Sequence, residues 1–221
     1  MTQSPDRTVL IISGGWPGHQ PQKFADIIGH WLEEDGLEVT QADTLEVLDD
    51  AEAVARYSLI VPNWTMGKIT ETQSQNLRQA VQGGVNLAGF HGGMGDSFRE
   101  DAGFQFMVGG QFVAHPGDIR PYRVDITSTV HPITDGLSGF EMQSEQYYLH
   151  VDPANTVLVT TTFDGSVKPW IDGTVMPVAW VRRHGRGRVF YSSLGHDPRE
   201  FEQLGVAALH RRGLRWAAGR L

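Results

Sequence analysis

The residues with the most chemistry in them lie at Gly89-Phe-His-Gly-Gly93. An apolar run from Val85 to Phe90 ends there at a turn whose glycines lift one side chain onto the rim of a sheet, the layout of a nucleophile elbow. The turn residue is His91. An imidazole in that place points to proton transfer or metal ligation. The chain holds no cysteine, which removes thiolate nucleophiles, disulfides and thiolate metal sites together. Histidine and carboxylate are left as metal donors.

A second segment of the same form is Ser192-Ser-Leu-Gly-His-Asp197, again behind an apolar strand. His196 is the base candidate there, aided by Asp197. The competing reading makes Asp197 the cap of a helix opening at Pro198. Val108 to Pro116 brings His115 through a glycine-rich approach to a proline that fixes the backbone. Phe140 to His150 reads as extended, and strand alternation puts Glu145 and Tyr147 on one side of it. His-Pro turns and half-buried glutamates also serve structure alone, so His115 and Glu145 keep both readings. His30, His131, His150, His184 and His210 are read as structural, solvated or boundary residues. Gly14-Gly15 lacks the spacing of a dinucleotide fingerprint and the chain lacks a Walker lysine, so no nucleotide cofactor is expected.

These side chains need elements to hold them. Val9 to Ile12 reads as a buried strand. Phe24, Ile27, Ile28, Trp31 and Leu32 follow at helical spacing between Pro21 and Gly36. Glu38 to Ala42 and Leu59 to Pro62 read as further strands. A capping box, Thr70-Glu-Thr-Gln73, opens a helix that Gly83-Gly84 stops. Strand and helix alternate in this half, which predicts a parallel sheet covered on both faces. In the second half, Tyr122–Ile126, Thr156–Thr161, Pro177–Val181 and Arg188–Ser192 read as strands that add antiparallel, with a hairpin at His184-Gly-Arg-Gly187. A helix from Pro198 to Ala218 closes the chain, and its arginines 211, 212, 215 and 220 are read as structural. One domain, 1–221, is expected.

Ligands of open parallel sheets bind beyond the carboxyl ends of the strands, near the switch in strand order. The loops reaching that edge carry Trp16 and His19, then Asn63 and Trp64, then His91, Gly92 and Gly93, then His196 and Asp197. Tryptophan faces and polar side chains around glycines suit a sugar. The alternative keeps Trp16 and Trp64 in the core and His19 in solvent. A divalent ion such as zinc needs three or four ligands, with His19, His91, His115 and His196 as candidates beside Glu145. No His-x-His or His-Glu-x-x-His signature fixes the set.

Bulk composition excludes other classes. With 18 Lys and Arg against 26 Asp and Glu, the net charge is −8, which disfavours nucleic acid and anionic membranes. No apolar run approaches a membrane span, and the first seven residues lack a leader's apolar stretch, so a cytoplasmic place is expected.

Five segments, Gly89–Gly93, Gly109–Pro116, His131–Leu137, Glu145–Tyr148 and Pro177–His196, together resemble the ThuA family, the trehalose-utilisation proteins. The resemblance covers nearly the whole chain. It implies a flavodoxin-like, three-layer α/β fold shared with the class I glutamine amidotransferases. Those enzymes carry a cysteine at the elbow, where this chain has His91, so glutamine hydrolysis through a thioester is excluded. The resemblance implies a role in trehalose or related disaccharide metabolism through 3-keto sugars made by a partner dehydrogenase. The expected catalytic residues are His91, His196, Glu145 and Asp197. Substrate contacts are expected from His19, Trp16, Asn63, Trp64, Gly92, Gly93, His115 and Tyr147. Three readings stay open: an acid-base enzyme on a keto-sugar, a metal-dependent hydrolase, and a sugar-binding protein without catalysis. A homo-oligomer is compatible with each.

Overall fold

The computed structural model describes residues 7–127 and 130–221; the start of the chain that was read for a leader lies outside them. The first half alternates strand and helix: β1 (Thr8–Gly15), α1 (Pro21–Glu34), β2 (Glu38–Ala42), α2 (Ala51–Val54), β3 (Leu59–Thr65), α3 (Glu71–Gly83), β4 (Asn86–Phe90), α4 (His91–Gly95) and α5 (Ala102–Val108). The second half is mostly strand: β5 (Gly110–Ala114), β6 (Ile119–Ile126), β7 (Phe140–Glu145), β8 (Tyr148–Val151), β9 (Thr156–Thr162), β10 (Val175–His184) and β11 (Gly187–Ser192). The helix α6 (Leu204–Ala217) ends it.

Among the described residues, nine strands form one sheet in the order β2-β1-β3-β4-β11-β10-β9-β6-β7. From β2 to β11 the neighbours run parallel, and from β11 to β7 they run antiparallel. The chain leaves β1 for one flank and returns to the other, so the switch in order falls between β1 and β3. Strand β11 is parallel to β4, and Ser192 stands beside Phe90. The segments that follow these two strands, carrying His91 and His196, therefore leave the sheet at one edge.

Alternation along the strands sorts the core into two layers. Val9 and Ile11 pack with Phe24, Ile28 and Leu32 of α1 and Val206, Leu209 and Leu214 of α6. Leu10 and Ile12 pack on the other face with Leu77 and Val81 of α3 and Phe104 and Met107 of α5. All of these are essentially withdrawn from water, and burial of each large apolar side chain contributes about 1.5–3 kcal/mol. The capping box on α3 is present: Gln73 N–H donates to Thr70 Oγ1 at 3.2 Å, and Thr70 N–H to Gln73 Oε1 at 3.1 Å.

Three expectations need correction. Asn63 and Trp64 belong to β3 rather than to a loop after it. The β3–β4 ladder ends at Ile60↔Leu87, so Pro62, which cannot donate, costs no bond on that side and the strand runs past it. The closing helix does not begin at Pro198. A 3₁₀ turn over Pro198–Glu202 comes first, and extended Gln203 (φ −74°, ψ 122°) separates it from α6. This lets Phe201 stack on Trp31 at 5.1 Å and meet Phe24 and Phe90. The stretch from Phe140 to His150 is likewise not one strand: β7 pairs with β6 and β8 with β5, with Gln146 and Tyr147 between.

Candidate functional site

His91 opens α4 from a backbone at φ 46°, a left-handed conformation that costs a non-glycine residue about 1–2 kcal/mol. Phe90 before it is still extended, so the bend falls on the histidine and its ring stands over the strand ends. The ring is 1% exposed, and its Nδ1 lies 2.8 Å from the Ser193 carbonyl beyond β11. Its Nε2 faces the Tyr147 hydroxyl at 2.9 Å and Glu145 Oε2 at 3.2 Å. Tyr147 also stacks on the imidazole, with centroids 4.2 Å apart. Glu145 and Tyr147 thus reach the same ring, although the strand breaks between them.

His19 arrives from a 3₁₀ turn, Pro17–His19, after β1. It is buried, with Nδ1 2.8 Å from Thr65 Oγ1 at the end of β3. Its ring meets those of His91 at 4.7 Å and His196 at 5.3 Å, while His91 and His196 stand 5.4 Å apart. Gly92 makes room for this: a Cβ there would lie 2.7 Å from the His19 ring. A Cβ on Gly93 would press on Asn63 at 2.8 Å.

His196 Nδ1 lies 3.4 Å from Glu145 Oε2, and that nitrogen is buried without a hydrogen-bond partner. His115, at the end of β5, is set further out: its Nε2 is 3.8 Å from Glu145 Oε1, and its Nδ1 3.2 Å from exposed Asp118. Trp16, 45% exposed, meets the His19 ring edge-on at 4.7 Å. The cluster therefore opens to solvent past Trp16 and His115.

Charge in the cluster centres on one carboxylate. Burial opposes ionisation of Glu145, but pairing with His196 and His91 outweighs it and holds the carboxyl far below its usual range. The same pairing raises His196. Burial, then repulsion from His91 and His196, lowers His19 to about 3, so it is a neutral ring. Burial pushes the Tyr147 hydroxyl well up. His19, His91, His196 and Glu145 each offer a donor atom, all within 4.8 Å of one another, and could together hold a cation.

Other expected residues are engaged differently. Asp197 caps the 3₁₀ turn through Arg199 N–H and binds the Arg199 guanidinium through both oxygens, each bond at 2.9 Å. Arg199 holds the Asp197 carboxyl down at about 2. Its carboxylate is thereby occupied away from His196. Asn63 donates to Ser13 Oγ and the Pro21 carbonyl, and Trp64 packs into the second core layer and covers Gly14. Asn63 thus ties β3 to β1 and to the start of α1.

Sequence reasoning missed Glu200. It accepts from Ser144 Oγ at 2.6 Å, Gly195 N–H at 3.1 Å and His196 N–H at 3.2 Å, tying the His196 loop to β7. Thr65, which orients the ring of His19, was missed as well; Ser193 was placed on this edge, but the part its carbonyl plays in orienting His91 was not. Asp96 and Arg99, a two-bond pair at 2.6 and 2.8 Å, stand behind Phe112, which packs on Tyr147.

The family model for ThuA, described as trehalose utilisation, matches residues 8–217. The chain belongs to the ThuA family. Among solved structures it is similar to a ThuA-like protein from Bacteroides uniformis, with 18% identity, a TM-score of 0.78, and coverage of 98% of this chain and 93% of that one. A ThuA-like protein from Parabacteroides merdae gives 19% identity, a TM-score of 0.77, and coverage of 96% and 90%. A β-galactosidase from Rahnella sp. R3 shares the fold over 31% of its own length, with 15% identity and a TM-score of 0.61. No curated protein matches. Among the described residues of this ThuA-family chain, no helix is long and apolar enough to cross a membrane.

Proposed function

We propose that this chain is a sugar-processing enzyme that acts on a ketone-bearing disaccharide related to trehalose. One observation carries the reading: three imidazoles, a carboxylate and a tyrosine hydroxyl meet around His91 at the carboxyl edge, where the strand order switches. The family's description as trehalose utilisation supports the substrate class.

The chemistry follows from the ketone. A hydrogen on the carbon beside a carbonyl is acidified, and an oxygen substituent one carbon further is positioned to leave. In a 3-keto-disaccharide these are the C2 hydrogen and the glycosidic oxygen on C1. A base takes the C2 proton, its electron pair forms the C1–C2 double bond, the C1–O bond breaks, and the departing oxygen takes up a proton. His196 acts as the base, and the imidazolium that forms is stabilised by Glu145, 3.4 Å from Nδ1. Glu145 thus takes the part first assigned to Asp197. His91 and Tyr147, 2.9 Å apart, serve the departing oxygen, and Trp16, exposed beside His19, offers a face for a sugar ring. A partner dehydrogenase supplies the ketone.

Turnover of a 3-keto-disaccharide by the wild type, lost in His91→Ala and His196→Ala with folding intact, tests this. Unchanged turnover in both variants removes it.

A further inference from the structure

We infer that His19, His91, His196 and Glu145 form a four-coordinate site for one divalent cation of borderline softness, of the zinc or cobalt type. The inference deepens the sugar-processing reading and rests on it for the substrate, but its test does not need turnover.

Geometry is the first argument. At a metal–nitrogen distance of about 2.0–2.1 Å an imidazole centroid stands about 3.2 Å from the ion, so two rings at the tetrahedral angle have centroids about 5.2 Å apart. The three rings here stand at 4.7, 5.3 and 5.4 Å. Donor atoms on a tetrahedral edge are about 3.3–3.4 Å apart. Glu145 Oε2 lies 3.2 Å from His91 Nε2 and 3.4 Å from His196 Nδ1. Both exceed the roughly 2.7–2.9 Å of a charge-assisted hydrogen bond.

Proton positions are the second, independent argument. The Ser193 carbonyl can only accept, so the His91 proton sits on Nδ1, and in the neutral ring the Nε2 lone pair faces the Tyr147 hydroxyl at 2.9 Å and Glu145 Oε2 at 3.2 Å. Tyr147 can donate to that lone pair, but the facing Glu145 oxygen gives it a second, anionic neighbour, and a cation seated between the two atoms would satisfy both. The Thr65 hydroxyl can accept from His19 Nδ1 in the same manner and leave Nε2 bare. Metal-binding imidazoles have this arrangement, one nitrogen fixed by an outer hydrogen bond and the other turned inward towards the remaining ligands. His196 completes it with a buried Nδ1 that has no hydrogen-bond partner.

His115 is outside the quartet. Its Nε2 is 3.8 Å from the other oxygen of Glu145, which places it beside the ion, facing the substrate. With the cation in place His196 would hold it, the C2 proton would pass to His115 instead, and the ion would supply Lewis acidity next to the ketone oxygen.

The test uses the full chain, stripped with chelator and titrated with Co(II), read by visible absorption and by elemental analysis. One equivalent should bind with the intense visible bands of a tetrahedral ion. Affinity should fall by at least about 100-fold in His19→Ala and His196→Ala, and by about 10- to 100-fold in Thr65→Val, which leaves the quartet intact. His115→Ala should bind as the wild type does. Thermal melts of each stripped variant separate lost ligation from lost folding, and Thr65→Val carries the test if a histidine variant does not fold. Absence of stoichiometric binding, or binding indifferent to His19 and His196, overturns the site. Full turnover of a keto-sugar by stripped protein removes the metal and leaves the sugar reading standing. Co(II) bound on the quartet with no turnover of any keto-sugar does the reverse.

Discussion

Gly92→Ala adds a single methyl group to the site and should disable it. The added Cβ would lie 2.7 Å from His19 Cε1, 2.9 Å from its Nδ1 and 3.0 Å from Thr65 Cγ2. Ordinary van der Waals contact begins near 3.4 Å, so the His19 ring must retreat by about 0.7 Å. It has little room to do so. The ring is buried, tied to Thr65, and faced by Trp16, His91 and His196. Misplacement of about 1 Å at a reacting centre costs roughly 100-fold, so turnover of a 3-keto-disaccharide should fall by about 10- to 100-fold. Gly92 lies in α4 with no positive φ, so the backbone tolerates alanine and the melting temperature should move by only a few degrees. Steady-state turnover beside a thermal melt reads both. Gly83→Ala, where the added Cβ meets nothing within 4 Å, is the control. Wild-type turnover in Gly92→Ala would refute the claim that His19 must sit where it does.

Three further outcomes are expected. Asp197→Asn should keep turnover within about three-fold, because asparagine still caps the turn at Arg199; a loss of a hundredfold or more would return Asp197 to the catalytic set. Glu200→Ala should destabilise by about 1–3 kcal/mol in urea unfolding and lower turnover, since Ser144 and two N–H groups of the His196 loop lose their acceptor; unchanged values for both would remove its positioning role. Burial lowers His210 to about 4, so it stays neutral in the fold and charges more readily when unfolded. Its contribution is complete above about pH 6.5 and is lost as pH falls towards 4, by about 3 kcal/mol over that interval. Urea unfolding against pH should show this slope in the wild type and a shallower one in His210→Gln; equal slopes would contradict it.

The parts of the molecule legible in sequence were those set by local rules. The periodicity of α1, the capping box of α3 and the flat apolar strands each depend on neighbours within a turn or two. The glycines around His91 mark a bend whose backbone strain is indeed present. The place of His196 at that edge was legible by the same reasoning, because β11 ends beside β4. The engagement of Asp197 with Arg199 rests on a feature no spacing rule contains. Two carboxylates, Asp197 and Glu200, lie within one turn, and only the 3₁₀ bend decides that the first binds Arg199 while the second holds the His196 loop. Asn63 and Trp64 were read as loop because Pro62 looks like a strand end, whereas the diverging ladder between β3 and β4 lets the strand continue. Thr65 and Ser193 act through atoms that carry no sequence signature, one a hydroxyl and the other a carbonyl, and matter only because His19 and His91 reach them from segments far away in the chain.

The most direct measurement of the central claim is single-turnover cleavage of a 3-keto-disaccharide by Glu145→Gln. Glutamine keeps the shape of the side chain and removes the one charge that His91 and His196 share. A rate reduced by at least about 100-fold, in protein whose melt shows that it still folds, is the expected result. A wild-type rate would mean that the chemistry takes place elsewhere on the molecule.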